Sequence, residues 1–110
     1  MVPQETRQSV KEEWEKLCAA NCVHYINSTI SDINNNDTTS KRYHWSELKP
    51  FAKSLKYKKS EDKIINDTDY NNLLNHIGDK PADATKNDLN NAADLLQNVY
   101  GFSDNQMLNM

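Results

Sequence analysis

The sequence predicts an all-α protein, a single compact bundle of four to five helices with a long N-terminal helix. Three observations favour this fold class. Apolar residues recur at steps of three and four along most of the chain, which is the period of an amphipathic helix. The alternation of apolar and polar residues that marks a strand never extends beyond three positions. The chain has only 2 glycines and 3 prolines, too few for a turn-rich β-sandwich, and residues 1–110 suit one domain.

The first predicted helix covers residues 6–33. Its apolar positions recur at helical spacing: Val10, Trp14, Leu17, Cys18, Cys22 and Tyr25. Charged residues that include Glu13 and Glu15 fill the other side. Isoleucines continue the spacing to residue 33 on a rotated stripe, so we expect one long helix rather than a break near Asn27. The polar stretch 34–43 then predicts a loop.

The second predicted helix covers residues 46–57. Ser46 is a candidate N-cap, because its hydroxyl can accept a hydrogen bond from a free backbone N–H of the first turn. Pro50 lacks a backbone N–H and is therefore expected within that first turn. The apolar face of this helix comprises Leu48, Phe51, Ala52 and Leu55.

Two further helices follow. The first is predicted to start at a cap on Asp67 or Thr68 and to end at Gly78, and the second to start at Thr85 and to end at Gly101. The tail 103–110 is expected either to fray or to dock. The residues at the centres of the apolar faces are predicted to be buried together: Trp14, Leu17, Leu55, Leu73, Leu89 and Leu96.

Location is indicated by what the sequence lacks. No run of 18 apolar residues occurs, so we expect no membrane-spanning helix. The first residues carry no apolar region of the kind that a signal peptide contains, so we expect no signal peptide. Two cysteines that are expected to be reduced favour an intracellular protein, cytoplasmic or nuclear. Asparagine is abundant, with 15 of 110 residues, and begins glycosylation sequons at Asn27, Asn36 and Asn66. A mature secreted fragment therefore stays open as an alternative.

No motif predicts an enzyme, a cofactor or a bound metal. Cys18 and Cys22 share one helix face, but a zinc site needs two more ligands, and His24 lies on the opposite side of the helix. We expect both cysteines to be reduced core side chains. The three histidines are scattered, and the motifs of nucleophile elbows, phosphate loops and metalloproteases do not occur. We therefore expect no catalytic residues.

Charge is distributed unevenly. Residues 41–63 contain eight basic and three acidic residues, net +5, whereas residues 1–40 have net −3 and residues 64–110 net −5. Such a basic segment is typical of an anion-facing surface. The predicted partner-binding residues are Lys41, Arg42, Lys53, Lys56, Lys58 and Lys59. The alternative is a solvated face that the acidic C-terminal half neutralises, through residues such as Asp83, Asp88 and Asp94.

These observations favour a small non-enzymatic protein that acts by binding another protein, as an adaptor, effector or inhibitor. Its large aromatic side chains, such as Trp14, Trp45, Tyr43 and Tyr100, are of the type that anchors protein interfaces. The alternative is a helical module that binds nucleic acid through residues 41–63. In that segment 41–45 and 56–59 interleave cations with aromatic residues, which could contact phosphates and stack on bases.

Overall fold

The computed structural model describes the backbone of residues 4–57 and 64–110 and the side chains of residues 12–56 and 64–110. The described residues form five α-helices and two 3₁₀ turns, so the predicted all-α fold class is confirmed. The helices are α1 (Gln4–Asn34), α2 (Thr38–Ser54), α3 (Asp67–Ile77), α4 (Lys86–Tyr100) and α5 (Asp104–Leu108), with 3₁₀ turns at Leu55–Tyr57 and Pro81–Asp83. None of these helices combines the length and the apolar character that crossing a lipid bilayer requires.

The long N-terminal helix is confirmed. At about 1.5 Å per residue, the 31 residues of α1 span about 46 Å, close to the 52 Å length of the whole molecule. The helix ends at Asn34, and two residues later Asn36 adopts a left-handed conformation (φ 55°) that asparagine tolerates better than most residues. Around it, the Asn36 N–H donates to Ile33 O and the Asp37 N–H to Asp32 O, the two bonds of a Schellman motif.

The predicted start of α2 was wrong, and so was most of the loop at 34–43. The helix begins at Thr38, because the Asp37 carboxylate accepts a hydrogen bond from the Ser40 N–H at 3.0 Å and caps it nine residues before Ser46. Ser46 lies inside the helix, where its hydroxyl donates to Arg42 O at 2.7 Å. Pro50 also lies inside α2 instead of in its first turn, and the helix ends four residues later.

The two later helices begin and end close to their predicted positions. Asn66 caps α3, one residue before the predicted cap, by accepting from the Asp69 N–H at 2.7 Å. Thr85 caps α4 as predicted, accepting from the Asp88 N–H at 3.1 Å. Gly78 (φ 86°) and Gly101 (φ 71°) follow the two helices as predicted, in conformations that favour glycine. The tail docks, since Asn27 Nδ2 donates to Met107 O at 3.0 Å.

The helices form two packed pairs. A three-residue turn joins α1 to α2, and these two helices make a hairpin. On one side of this hairpin α4 packs against α1 and α3, and α3 packs against α2. The largest fully buried apolar side chains lie between these layers: Val23, Ile26, Leu48, Leu55, Ile65, Leu73, Ile77, Leu89 and Leu96.

The predicted core was right for four of six residues. Leu55, Leu73, Leu89 and Leu96 are fully buried, whereas Trp14 and Leu17 are 46% and 61% exposed. Both lie in the first half of α1, where Trp14 lines an open groove between α1 and α2. Glu15, predicted on the polar side, is fully buried instead.

Candidate binding surfaces

The predicted partner-binding residues fall on several parts of the structure. Lys41 and Arg42 lie in the first turns of α2, Lys53 near its end and Lys56 in the following 3₁₀ turn. Lys58 and Lys59 lie outside the described residues. Arg42, Lys53 and Lys56 are exposed, and Lys41 is half-buried.

Three of these residues are exposed at α2 and the turn after it. Arg42, Lys49 and Lys53 are separated by seven and four positions, which places them on one side of α2, and Lys56 follows three positions later in the 3₁₀ turn. We call Arg42, Lys53 and Lys56 the basic stripe. Among the described residues no carboxylate lies within ion-pair distance of Lys41, Arg42 or Lys53. Neutralisation of these three by Asp83, Asp88 or Asp94 therefore does not occur through direct pairs.

Lys49 is part of the fold. Its ammonium group donates to Gly78 O at the end of α3, lies 3.8 Å from Asp79 Oδ1 and stands 5.8 Å from the centre of the Trp45 ring. Burial lowers the pKa of Lys49, and the nearby Asp79 carboxylate partly opposes that effect. A cation near a helix C-terminus interacts favourably with the helix dipole, so Lys49 fastens α2 to α3.

The aromatic residues of the basic segment do not share its surface. Trp45 is buried, and its indole N–H donates to Ile77 O at 2.9 Å, so its ring cannot stack on a base. Tyr43 is 64% exposed, but it is rotated by about 100° from Arg42 around α2. The side chain of Tyr57 lies outside the described residues. The predicted interleaving of cations and aromatic rings is therefore not found on one surface in the described part.

Tyr43 belongs instead to a row of rings on the outer side of the hairpin. Its ring centre lies 5.4 Å from that of His44, which lies 6.3 Å from Tyr25. Tyr25 stacks on Phe51, with their ring centres 5.7 Å apart. Tyr25 of α1 lies between His44 and Phe51 of α2, so these rings mark a line along which the two helices meet.

An apolar groove continues this row toward the start of α1. It has a volume of about 380 Å³ and lies between α1 and α2. Its lining residues are Trp14, Cys18, Glu47, Pro50, Phe51 and Ser54. Leu17 does not line the groove, but it lies three positions after Trp14 on α1, which makes the two exposed side chains neighbours on the helix surface. We call the surface of Trp14, Leu17, Tyr25, Tyr43, Pro50 and Phe51 the aromatic face.

Sequence reasoning missed a histidine–carboxylate pair beside this face. His44 Nδ1 lies 2.6 Å from Asp32 Oδ2, and both side chains are largely buried. The pair connects the last turn of α1 to the second turn of α2. The two residues are 12 positions apart, and no sequence signal joins them unless the turn at 35–37 is known. The pair orients the His44 ring within the aromatic row.

The two cysteines lie on the inner side of α1. Both are buried, and burial, with a smaller contribution from the neighbouring Cys18, raises the pKa of the Cys22 thiol to about 12. A thiol with such a pKa is a weak nucleophile and a weak metal ligand at neutral pH. In the described residues no three His, Cys, Asp or Glu side chains are grouped so that they could hold a metal ion.

The basic stripe and the aromatic face therefore lie on different sides of α2. Tyr43, Glu47, Pro50 and Ser54 recur at steps of four, three and four, one position out of phase with Arg42 and Lys53.

Comparison of the chain with protein-family models, with curated proteins and with solved structures finds no match.

Proposed function

We propose that this chain is a non-enzymatic protein of the adaptor, effector or inhibitor type that binds another protein through its aromatic face. One observation carries the proposal: of the four large apolar side chains that are exposed among the described residues, three, Trp14, Leu17 and Tyr43, belong to this face. Clustered apolar surface is unfavourable in water and typical of interaction sites. Trp and Tyr are also the side chains that most often dominate binding energy.

The partner that fits this face is an amphipathic helix. A groove between two packed helices accepts a third helix, whose apolar residues at steps of three and four enter it. Glu47 lines the groove, and Glu13 shares the Leu17 side of α1, since the two are four positions apart. A partner helix with a Lys or Arg beside its apolar residues would complement these carboxylates. A second copy of the same face would bring acidic groups together, which disfavours self-association.

Site-specific photo-crosslinking tests this proposal. A photoreactive amino acid replaces Leu17 in one variant and Leu108 in another, and each protein is irradiated in an extract of its native cells. Leu108 is the matched control, because it is an exposed leucine (83%) that lies in α5, away from the groove. We expect a discrete crosslinked protein from position 17 that is absent from position 108.

Two results would count against the proposal. Equal crosslinking from both positions would mean that any exposed apolar residue captures proteins, so the aromatic face would have no special role. Sedimentation of the purified protein provides the second check. A wild-type dimer that becomes a monomer in the Leu17→Ser variant would show that the face serves self-association rather than binding of a different partner.

Nucleic-acid binding is the second candidate function, and the basic stripe favours it. Arg42, Lys53 and Lys56 could follow a phosphate backbone along α2, although the burial of Trp45 removes a base-stacking residue. A salt titration of binding to duplex and single-stranded oligonucleotides decides this point. A steep salt slope that Arg42→Glu with Lys53→Glu abolishes would support it, and no binding at low salt would exclude it.

A further inference from the structure

A second cleft lies at the other side of α2, away from the aromatic face. It forms where the first turns of α2 meet the 3₁₀ turn at Pro81–Asp83, and its volume is about 360 Å³, within the range of small-molecule sites. Its lining residues are Thr38, Lys41, Arg42, Lys80, Pro81 and Ala82. Three cationic side chains, from two distant parts of the sequence, therefore surround one cavity.

The three cations of this cleft have no direct carboxylate partner within the described part of the chain. No carboxylate belongs to the lining. Asp32 and Asp37 line an adjoining cleft that shares Thr38 and Lys41, and Asp79 lies 3.8 Å from the ammonium group of Lys49. Asp83 is exposed and, within the described part of the chain, pairs with none of the three cations.

Three like charges around one cavity repel one another unless an anion lies between them. This arrangement is notable in a chain whose net charge is −3, since the acidic residues outnumber the basic ones overall. Carboxylates lie nearby, but none of those described is within ion-pair distance of the three cations. An anionic ligand would remove the repulsion.

We propose that this cleft binds a phosphomonoester. The planar guanidinium of Arg42 can bond two phosphate oxygens at once, and Lys41 and Lys80 add positive charge around the same group. Thr38 contributes a hydroxyl group to the lining, and Pro81 and Ala82 offer apolar surface for the organic part of the ligand. The proposal is independent of the aromatic face and of its protein partner.

Titration calorimetry at low ionic strength tests this site with three probes: inorganic phosphate, phenyl phosphate and a short phosphoserine peptide. We expect phenyl phosphate to bind more tightly than inorganic phosphate, because only the former can use the apolar lining. Amide resonances of residues 38–42 and 80–82 should shift when it binds. Arg42→Gln with Lys80→Gln should weaken binding at least about tenfold, since two charge-assisted hydrogen bonds are lost.

The matched control is Lys16→Gln with Lys86→Gln. Both lysines are exposed and lie outside the cleft, so this variant loses the same charge and should bind as the wild type does. If the cleft variant fails to fold, Lys41→Gln with Lys80→Gln replaces it. Binding of the peptide but not of phenyl phosphate would assign a phosphorylated protein as the source, and the reverse a small metabolite.

Three results would overturn the proposal. The first is that a folded protein binds none of the three probes at low ionic strength. The second is equal weakening in the cleft variant and in the control variant, which would indicate general charge attraction. The third is preference for a phosphodiester oligonucleotide over phenyl phosphate, which would indicate a nucleic-acid surface instead.

Discussion

Glu15 is the residue on which the most separate parts of the described structure converge. Its fully buried carboxylate accepts hydrogen bonds from the Ile64 N–H at 2.8 Å, from the Ile65 N–H at 3.0 Å and from the Tyr100 hydroxyl at 2.6 Å. It thereby joins α1, the chain before α3 and the end of α4. Sequence reasoning placed Glu15 on a polar face, because nothing local indicates that these distant donors surround it.

Replacing Glu15 with Gln should destabilise the protein. The amide keeps the size of the carboxylate, but its NH₂ group would face donors rather than acceptors, at a cost of about 1–3 kcal/mol in the free energy of unfolding. Urea unfolding measures this change. Glu13→Gln is the control, because Glu13 is exposed two positions away, and it should change stability by about 0.5 kcal/mol or less. Equal stability of the two variants would show that Glu15 is not buried in this way.

Alkaline pH should destabilise the fold through Cys22 and Tyr100. Burial raises the pKa of the Cys22 thiol from 9.0 to about 12, and burial together with the bond to Glu15 raises the pKa of Tyr100 above its ordinary value. The unfolded chain releases these protons at lower pH than the folded protein does. Their contribution is therefore complete below pH 9 and is lost as pH rises toward 12.

Thermal unfolding at a series of pH values tests this dependence. The melting temperature should fall steadily above pH 9, and Cys22→Ser with Tyr100→Phe should show a shallower fall than the wild type. A thiol reagent at neutral pH should react slowly with Cys22 in the folded protein and rapidly after unfolding. A melting temperature that is constant across this range, or fast native labelling of Cys22, would contradict the assigned burial.

The helices show which features of an element a sequence can predict. Thr85, Gly78 and Gly101 were placed correctly as helix boundaries because their signals act within a few residues. The start of α2 was misplaced because Asp37 and Ser46 are both suitable caps, and the choice between them depends on the Schellman turn at Asn36. Pro50 did not indicate where α2 begins. A first-turn position for this proline favoured a start near residue 46, but Pro50 lies toward the other end of the helix, four residues before Ser54.

Truncations on the two sides of the bundle should differ sharply in effect. Leu96 is fully buried in α4, so Leu96→Ala should lower the free energy of unfolding by about 2–5 kcal/mol. Leu17→Ala removes the same atoms from an exposed position and should cost about 0.5 kcal/mol or less. Denaturant unfolding of both variants measures the difference. Similar losses would mean that α1 is rotated from the orientation described.

The basic segment should divide into structural and surface lysines. Lys49→Met removes the donor to Gly78 O at the end of α3 and should cost about 1–3 kcal/mol. Arg42→Glu with Lys53→Glu changes only exposed charges and should leave the melting temperature close to that of the wild type. If the charge reversal unfolds the protein while Lys49→Met does not, the basic stripe is structural. The proposal that its residues bind nucleic acid then fails.

At the scale of the whole molecule, the fold class and the long first helix were predictable because apolar spacing and polarity determine them. The location of the open surface was not. Trp14 and Leu17 carry the same apolar signal as Leu96, and only the packing of α4 against one side of the hairpin decides which of them water can reach. For the same reason, sequence reasoning named aromatic side chains as interface anchors but did not separate the exposed Trp14 and Tyr43 from the buried Trp45 and Tyr100.

The central claim is that this aromatic face binds a protein partner, and the most direct test is an affinity measurement. The partner identified by crosslinking at position 17 is purified and titrated against the wild type, Leu17→Ser and the matched Leu108→Ser variant. We predict that Leu17→Ser raises the dissociation constant at least about tenfold, as loss of an important interface residue does. Leu108→Ser should leave it unchanged. Equal affinity of all three proteins would contradict the claim.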